Sequence, residues 1–514
     1  MRHFKQIFAL FLLFIFFKAS AQNADNEITY NNAPMVSQTT LSGTARFQSI
    51  GGATTALGAD MGTLGSNPAG LGMYRKSDMS ITGGLGHVGT NAAYQQNDPT
   101  SIKTGKTYAF LPNAGMVFTS QNADSNSSWK GSAFGLSYNR ISDYQQKFSY
   151  TGTNNNSLAD YMVNKANGSS AYNYFNNAVN SPTGLTSLGG AAYLFAAQNP
   201  QDMNSSQYYS LGNDQDSNSV MHKETVTTTG HQAQWDAGYG ANINDKFYFG
   251  FGMGVSTLKY VLNRSYQESF SEPTSQDALE NYALGEKLTL KGTGVNFKFG
   301  ATYKAADWIR VGATLQTPTW YAMKATYNYT LDANFLNAPG NPVFPDTTES
   351  NNTKQIVFDY KLRTPLKFTV GMALFSGKGG FLSSDLSIVS YNTAKFSSSS
   401  YDFTAYNSAI KQNTRTTINY NIGGEVRKNT MRFRAGFAYY GSPYKSSVGT
   451  ETSTINYTVG FGLRFRANYI DFAIVDARYT THYSPYTPPS GVAPMDVKVT
   501  TSAARLVITT GLLF

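Results

Sequence analysis

The 514-residue chain contains no cysteine, so disulfides, thiolate metal sites and a lipid-modified N-terminal cysteine are all excluded. Stability has to come from backbone pairing and packing. Charged residues are scarce at 14%, and the formal net charge of +9 is modest for this length. Basic residues alternate with apolar ones along the chain, which argues against a nucleic-acid partner. Histidine is rare too: His3, His87, His222, His231 and His482 are scattered, with no H-x-x-x-H spacing. No metal, cofactor or catalytic group is expected. Haem ligation by His222 or His231 would rest on one residue type. A rim enzyme would need His222 with Asp216, or His482 alone, and solvated loop residues explain both better. Asn213 to Asp216 offers oxygen ligands but lacks the full spacing of a calcium loop.

Long hydrophobic runs are missing as well, except at the start. Met1 to Ala21 reads as a secretory signal, with Arg2 and Lys5 ahead of an apolar run from Ile7 to Phe17 and small residues at Ala19-Ser20-Ala21. That run is too short to span a bilayer, so the mature chain is expected to begin at Gln22 with a net charge of +6. No later stretch approaches the roughly 18 to 20 apolar residues of a transmembrane helix. The exported chain is therefore soluble, or it crosses a membrane as strands. Its 35 Tyr, 33 Phe and 47 Gly fit aromatic girdles and pleated walls better than a soluble enzyme.

Alternation of period two recurs from Ser77 almost to the end. Phe247, Phe249, Phe251, Met253 and Val255 share one strand face, with Gly250, Gly252 and Gly254 on the other. Val295-Phe297-Phe299-Ala301-Tyr303, Leu366-Phe368-Val370-Met372 and Met431-Phe433-Ala435-Phe437 repeat the pattern. Alternation alone does not separate a soluble sandwich from a membrane barrel. The connections do. Short links at 243–245, 305–307, 376–379, 428–430 and 467–468, with a looser one at 121–128, alternate with long polar connections at about 89–112, 145–230, 262–290, 320–355, 392–414, 441–453 and 481–501. Tight turns on one side and long loops on the other are the arrangement of an outer-membrane barrel. Counting between the links gives about fourteen strands, and the last, Ser502 to Phe514, ends its apolar face on a terminal Phe, which resembles the signal read by the outer-membrane assembly machinery. The fold expected is an all-β, transmembrane antiparallel β-barrel of residues 77–514 in the outer membrane of a Gram-negative bacterium.

Ahead of it, Gly43 to Met73 is dense in Gly and Ala and ends in Asn67-Pro68-Ala69-Gly70. Composition alone leaves two readings, a plug threaded through the barrel or a flexible leader outside it. Gly51-Gly52-Ala53, then Ala56-Leu57-Gly58-Ala59-Asp60 and Asn67-Pro68-Ala69-Gly70-Leu71, resemble the N-terminal signature of FadL-type outer-membrane transporters of long-chain fatty acids and aromatic hydrocarbons. The resemblance covers about thirty residues. It implies that 22–76 forms an N-terminal extension and a hatch inside the lumen, gated at Gly51, Gly52, Asn67, Pro68, Ala69 and Gly70. It also implies that a hatch movement and a kinked strand release ligand sideways; Gly83-Gly84 and Gly135 are the candidate kinks.

The 145–230 connection is too long for a linker. Apolar residues around Ser157 to Asn180 suit short helices and Leu185 to Ala197 adds an apolar patch, which together form either a ligand platform or a cap that covers the barrel mouth or docks a partner. Two functions follow: passive uptake of long-chain fatty acids or other hydrophobic small molecules, or a partner-binding subunit resembling the FadL-like barrel of type IX secretion or an accessory of an outer-membrane assembly complex. Outer-membrane lipid, a hydrophobic ligand and outer-membrane proteins are the expected partners.

Overall fold

The computed structural model describes residues 30–95, 100–124, 126–175, 182, 184–211, 219–270, 279–335, 349–353, 355–446, 452–486 and 495–514. The expected signal peptide and Asn213 to Asp216 lie outside these residues.

Fourteen antiparallel strands form a closed barrel. They are β1 (Asp78–Tyr94), β2 (Ser101–Gln121), β3 in two segments (Trp129–Asp143 and Gln146–Asn154), β4 (Val220–Ile243), β5 (Phe247–Phe270) and β6 (Leu279–Ala306). Next come β7 (Ile309–Gln316 and Trp320–Phe335), β8 (Glu349–Asn352, Ile356–Arg363 and Lys367–Phe375) and β9 (Gly380–Ser390 and Lys395–Ser397). The last five are β10 (Thr416–Lys428), β11 (Met431–Tyr440), β12 (Thr454–Arg464), β13 (Asn468–Tyr483) and β14 (Val497–Leu513). β1 pairs with β14 from Asp78 opposite Leu513 to Tyr94 opposite Val497, which closes the sheet into a barrel.

The alternating residues settle which side faces lipid. Phe247, Phe249, Phe251 and Met253 are exposed on the outer wall, whereas Gly250, Gly252 and Gly254 face the lumen and are buried. The tight turns lie at one end, as at β4–β5, where Asn244 and Asp245 take φ of 54° and 55° and the Lys246 N–H closes on the Ile243 carbonyl. The strands run further than alternation suggested: β1 and β2 take up most of 89–112, and the upper part of β3 with β4 takes both ends of 145–230. Above the bilayer the outward residues no longer need to be apolar, so the hydrophobic period fades while backbone pairing continues.

β7 is interrupted at Thr317-Pro318-Thr319, β8 at Thr364-Pro365-Leu366 and β9 by a 3-10 turn at Tyr391–Thr393. Proline offers no N–H to the ladder, and the three neighbouring strands break at the same level.

Residues 30–76 run inside the barrel, which decides for a plug over a free leader. Helix α1 (Asn32–Ser37) packs in the upper lumen; α2 (Ala45–Ser49) and two 3-10 turns (Met61–Gly65 and Pro68–Met73) fill the lower part. The 145–230 segment carries helices α3 (Leu158–Ala166), α4 (Tyr172–Phe175) and α5 (Leu185–Ala191), and α6 (Thr404–Asn413) follows β9.

Candidate functional site: hatch, lumen and wall seam

The hatch is seated in glycines of the wall. A Cβ on Gly250 would lie 2.3 Å from the Pro68 carbonyl carbon, one on Gly312 2.4 Å from the Thr55 oxygen, one on Gly423 2.2 Å from the Ile50 oxygen and one on Gly436 2.4 Å from the Gly51 nitrogen. Any larger residue there would push the hatch out of its seat.

Asn67 is the polar anchor. It is buried, caps its own 3-10 turn by accepting from the Ala69 N–H (3.1 Å), and donates through Nδ2 to the Thr55 carbonyl (2.6 Å) and to Thr302 Oγ1 on β6 (3.2 Å). Pro68 starts that turn, where its missing N–H costs nothing. Pro68 and Ala69 lie against Gly250 on β5, and Gly70 approaches Gly58 across the hatch with a would-be Cβ at 3.0 Å from the Gly58 Cα. Gly51 and Gly52 sit apart from these four, Gly51 against Phe437 of β11 and Gly52 against Leu41 and Phe47 within the plug. Both have positive φ (62° and 75°), and the Gly51 carbonyl accepts from Asn421 Nδ2 on β10 (2.5 Å). The six residues are thus two anchors of one plug.

Sequence reasoning missed the wall partners. Asp385 Oδ2 on β9 accepts from the Thr54 N–H (2.8 Å), the Thr55 N–H (2.9 Å) and Thr55 Oγ1 (2.8 Å), a charge-assisted clamp on the hatch turn. Arg46 of α2 lies between Asp60 (3.5 Å) and Glu425 (3.8 Å), and Glu425 is bound by Arg434 and Arg427 on the wall (2.7 Å each). Next to Gly65 of the hatch, Asp236 accepts from Lys298 Nζ (2.6 Å), Asn139 Nδ2 (3.0 Å) and Gln234 Nε2 (2.6 Å). The available signal was a charged or amide residue at an inward position of an alternating strand.

Above this polar layer the lumen turns aromatic. Tyr321, Tyr327, Tyr329, Tyr360, Leu288 and Leu290 from β6–β8 join one apolar cluster with the cap helices α3 and α5 and with α1. The cap is tied down by Glu268 on β5, which accepts from Ser157 Oγ (2.5 Å) and the Leu158 N–H (2.8 Å) at the start of α3. His222, expected to be a solvated loop residue, is instead fully buried in β4, bonded to Tyr266 Oη (2.7 Å) and Asn154 Oδ1 (2.9 Å) beside Glu268. The strand extends past the membrane, so this loop position became a lumen position. His482 is at the rim, 2.8 Å from Asp496.

One seam in the wall lacks a ladder. β2 pairs with β3 only from Asn113 opposite Asn139 to Gln121 opposite Gly131; from Pro112 upward β2 pairs with β1 alone. At that level β3 breaks at Tyr144-Gln145, and its upper segment crosses the inner side of β1 and β2. Thr90 and Thr104 both donate through Oγ1 to the Lys147 carbonyl (2.6 Å each), and Tyr94 stacks on Tyr150 at 6.2 Å. The wall therefore overlaps at this seam and is held by side chains. Gly83 lies at the β1 bulge beside it, and Gly135 lies within the intact ladder below.

No protein-family model matches the chain, and no curated protein is similar to it. Solved structures are similar in fold. The toluene transporter TodX of P. putida matches with a TM-score of 0.53 at 14% identity, over 92% of this chain and 99% of that one. A Pseudomonas aeruginosa FadL homologue matches with a TM-score of 0.54 at 12% identity, over the same shares. The chain has the fold of the FadL-type barrels, with its apolar belt in the outer membrane.

Proposed function

We propose that this barrel is a passive channel that takes hydrophobic small molecules, long-chain fatty acids or aromatic hydrocarbons, across the outer membrane. The observation that carries the reading is the sequence of compartments along the lumen: an aromatic chamber under a cap, a glycine-seated hatch below it, and beside it a wall seam held by side chains in place of ladder hydrogen bonds. An apolar molecule gains free energy on leaving water for a chamber of tyrosine and leucine side chains. The hatch closes the way straight down, and α1 occupies part of the chamber, so both must shift for a ligand to pass. Strand β3 is held only by side-chain contacts at the seam, whose lower end, beside the outward Leu85 and Leu111, reaches the apolar belt, and there a ligand can leave sideways into lipid. The resemblance at Asn67-Pro68-Ala69 and the similarity in fold to a toluene transporter both support this reading.

A second reading, a partner-binding subunit, draws on Tyr172, Met203 and Tyr209, which the cap leaves exposed. Equilibrium dialysis of the purified protein against a labelled long-chain fatty acid and against toluene tests both. Saturable binding, with uptake into cells altered by Asn67→Ala plus Pro68→Ala, supports the channel. No saturable binding together with unaltered uptake overturns it, and a stable complex after gentle extraction would then favour the partner-binding subunit.

A further inference from the structure

The outer wall carries a strongly cationic face on five adjacent strands. Across the ladder, Lys259 on β5 is directly opposite Lys291 on β6, which is directly opposite Lys324 on β7. Two rungs lower, Arg363 on β8 is directly opposite Lys395 on β9, with Lys361 on the rung between. All six side chains are exposed, and among the described residues none has a carboxylate within 4.0 Å. The one acid in these rows is Asp359, opposite Lys324. Like charges directly opposed on one sheet face are destabilising, so five strands that each place a cation here call for an external anion.

The height of the face identifies the anion. Phe247 to Val255 is the lipid-facing stripe of β5, and Lys259 lies twelve residues above Phe247. That is about 40 Å along the strand, or about 30 Å of height at a tilt near 40°. An apolar band is about 25 Å tall, so the lysines stand just above its outer edge, on the side of the long loops. Trp320, opposite both Val295 and Arg363, marks the boundary. Where the three strands break, the wall is hollowed: a recess of about 560 Å³ is lined by Trp320, Ala322, Lys361, Arg363, Lys395 and Ser397. It opens toward the outer leaflet, with Leu366 and Phe368 beneath it on the lipid side.

We propose that this recess binds the phosphorylated headgroup of an outer-leaflet glycolipid, a lipopolysaccharide, with its acyl chains lying on the apolar stripe below. Arg363 presents a planar fork suited to phosphate oxygens, Lys361 and Lys395 add point charges on either side, and Trp320 covers the sugar-to-acyl boundary. The binding is electrostatic and falls as salt rises. It is independent of ligand transport and requires only that the barrel sit in the outer membrane.

The test is native mass spectrometry of the detergent-purified full chain titrated with lipopolysaccharide, with the same glycolipid after phosphate removal, and with inorganic phosphate. The expected result is retention of intact lipopolysaccharide at low salt, at least tenfold weaker retention of the dephosphorylated form, and none of inorganic phosphate. Lys361→Gln, Arg363→Gln and Lys395→Gln together should weaken retention at least tenfold while the barrel keeps its heat-modifiable migration. Equal binding of the phosphorylated and dephosphorylated glycolipids by the unaltered protein overturns the proposal, whatever the variant does. Unchanged retention by a folded triple variant overturns it too.

Discussion

At the residue scale, the hatch is held by absences in the wall as much as by contacts. A Cβ on Gly300 would sit 1.9 Å from Asn67 Oδ1, inside the space of the atom that caps the Pro68 turn. Gly300→Ala should therefore displace Asn67 and weaken its bonds to Thr55 and Thr302 without touching the ladder of β6. Losing one or two such bonds costs about 1–3 kcal/mol, which raises the undocked population of the hatch by a factor of about 5 to about 100. Single-channel recording in a planar bilayer should show more frequent openings for Gly300→Ala. Gly83→Ala, whose added Cβ meets nothing within 4 Å, should record like the unaltered protein.

At the element scale, β3 is the strand whose behaviour matters most, and the sequence showed only half of it. The turn links gave the strand number, because a tight turn leaves a local signature in Asn, Asp and Gly; the break at Tyr144-Gln145 leaves none, since it is set by what β1 and β2 present across space. Pro112 was visible, but as the end of a loop, because beyond Leu111 and Ala109 the outward positions carry Thr107, Gly105, Lys103 and Ser101 and no longer alternate with apolar residues. Likewise Asn67, Pro68 and Gly51 were legible in a local run, whereas Asp385 and Asn421 lie 331 and 370 residues from the hatch residues they bind, and they and the seat glycines on several strands meet only when the barrel closes. The seam itself predicts a phenotype. Thr90→Val with Thr104→Val removes both donors to the Lys147 carbonyl, leaving a carbonyl whose desolvation costs about 1–3 kcal/mol. If β3 swings to release ligand, uptake of a labelled fatty acid should rise severalfold in the double variant while heat stability of the barrel holds. Unchanged uptake would place the release step elsewhere.

At the scale of the whole molecule, the wall and its filling are separable in kind. The wall is a backbone ladder interrupted at the upper β2–β3 seam and closed by seventeen residue pairs between β1 and β14, reinforced where Ser77 and Phe514 exchange both backbone bonds at 3.0 Å. None of these bonds involves residues 30–76. The filling is held by side chains and glycine seats on many strands, including Asp385 on β9, Thr458 on β12 and Thr509 on β14. Removing residues 30–76 should thus leave a barrel that still assembles and resists detergent, because backbone pairing within a closed wall does not need the plug. The polar clusters around Asp236 and Glu425 would then face water instead of the hatch, and water would fill the lower lumen. The expected reading is a steady, ohmic conductance in planar bilayers in place of brief openings, with fatty-acid uptake that no longer saturates. A deletion that assembles yet stays closed to ions would mean that the aromatic chamber and cap, not the hatch, form the seal.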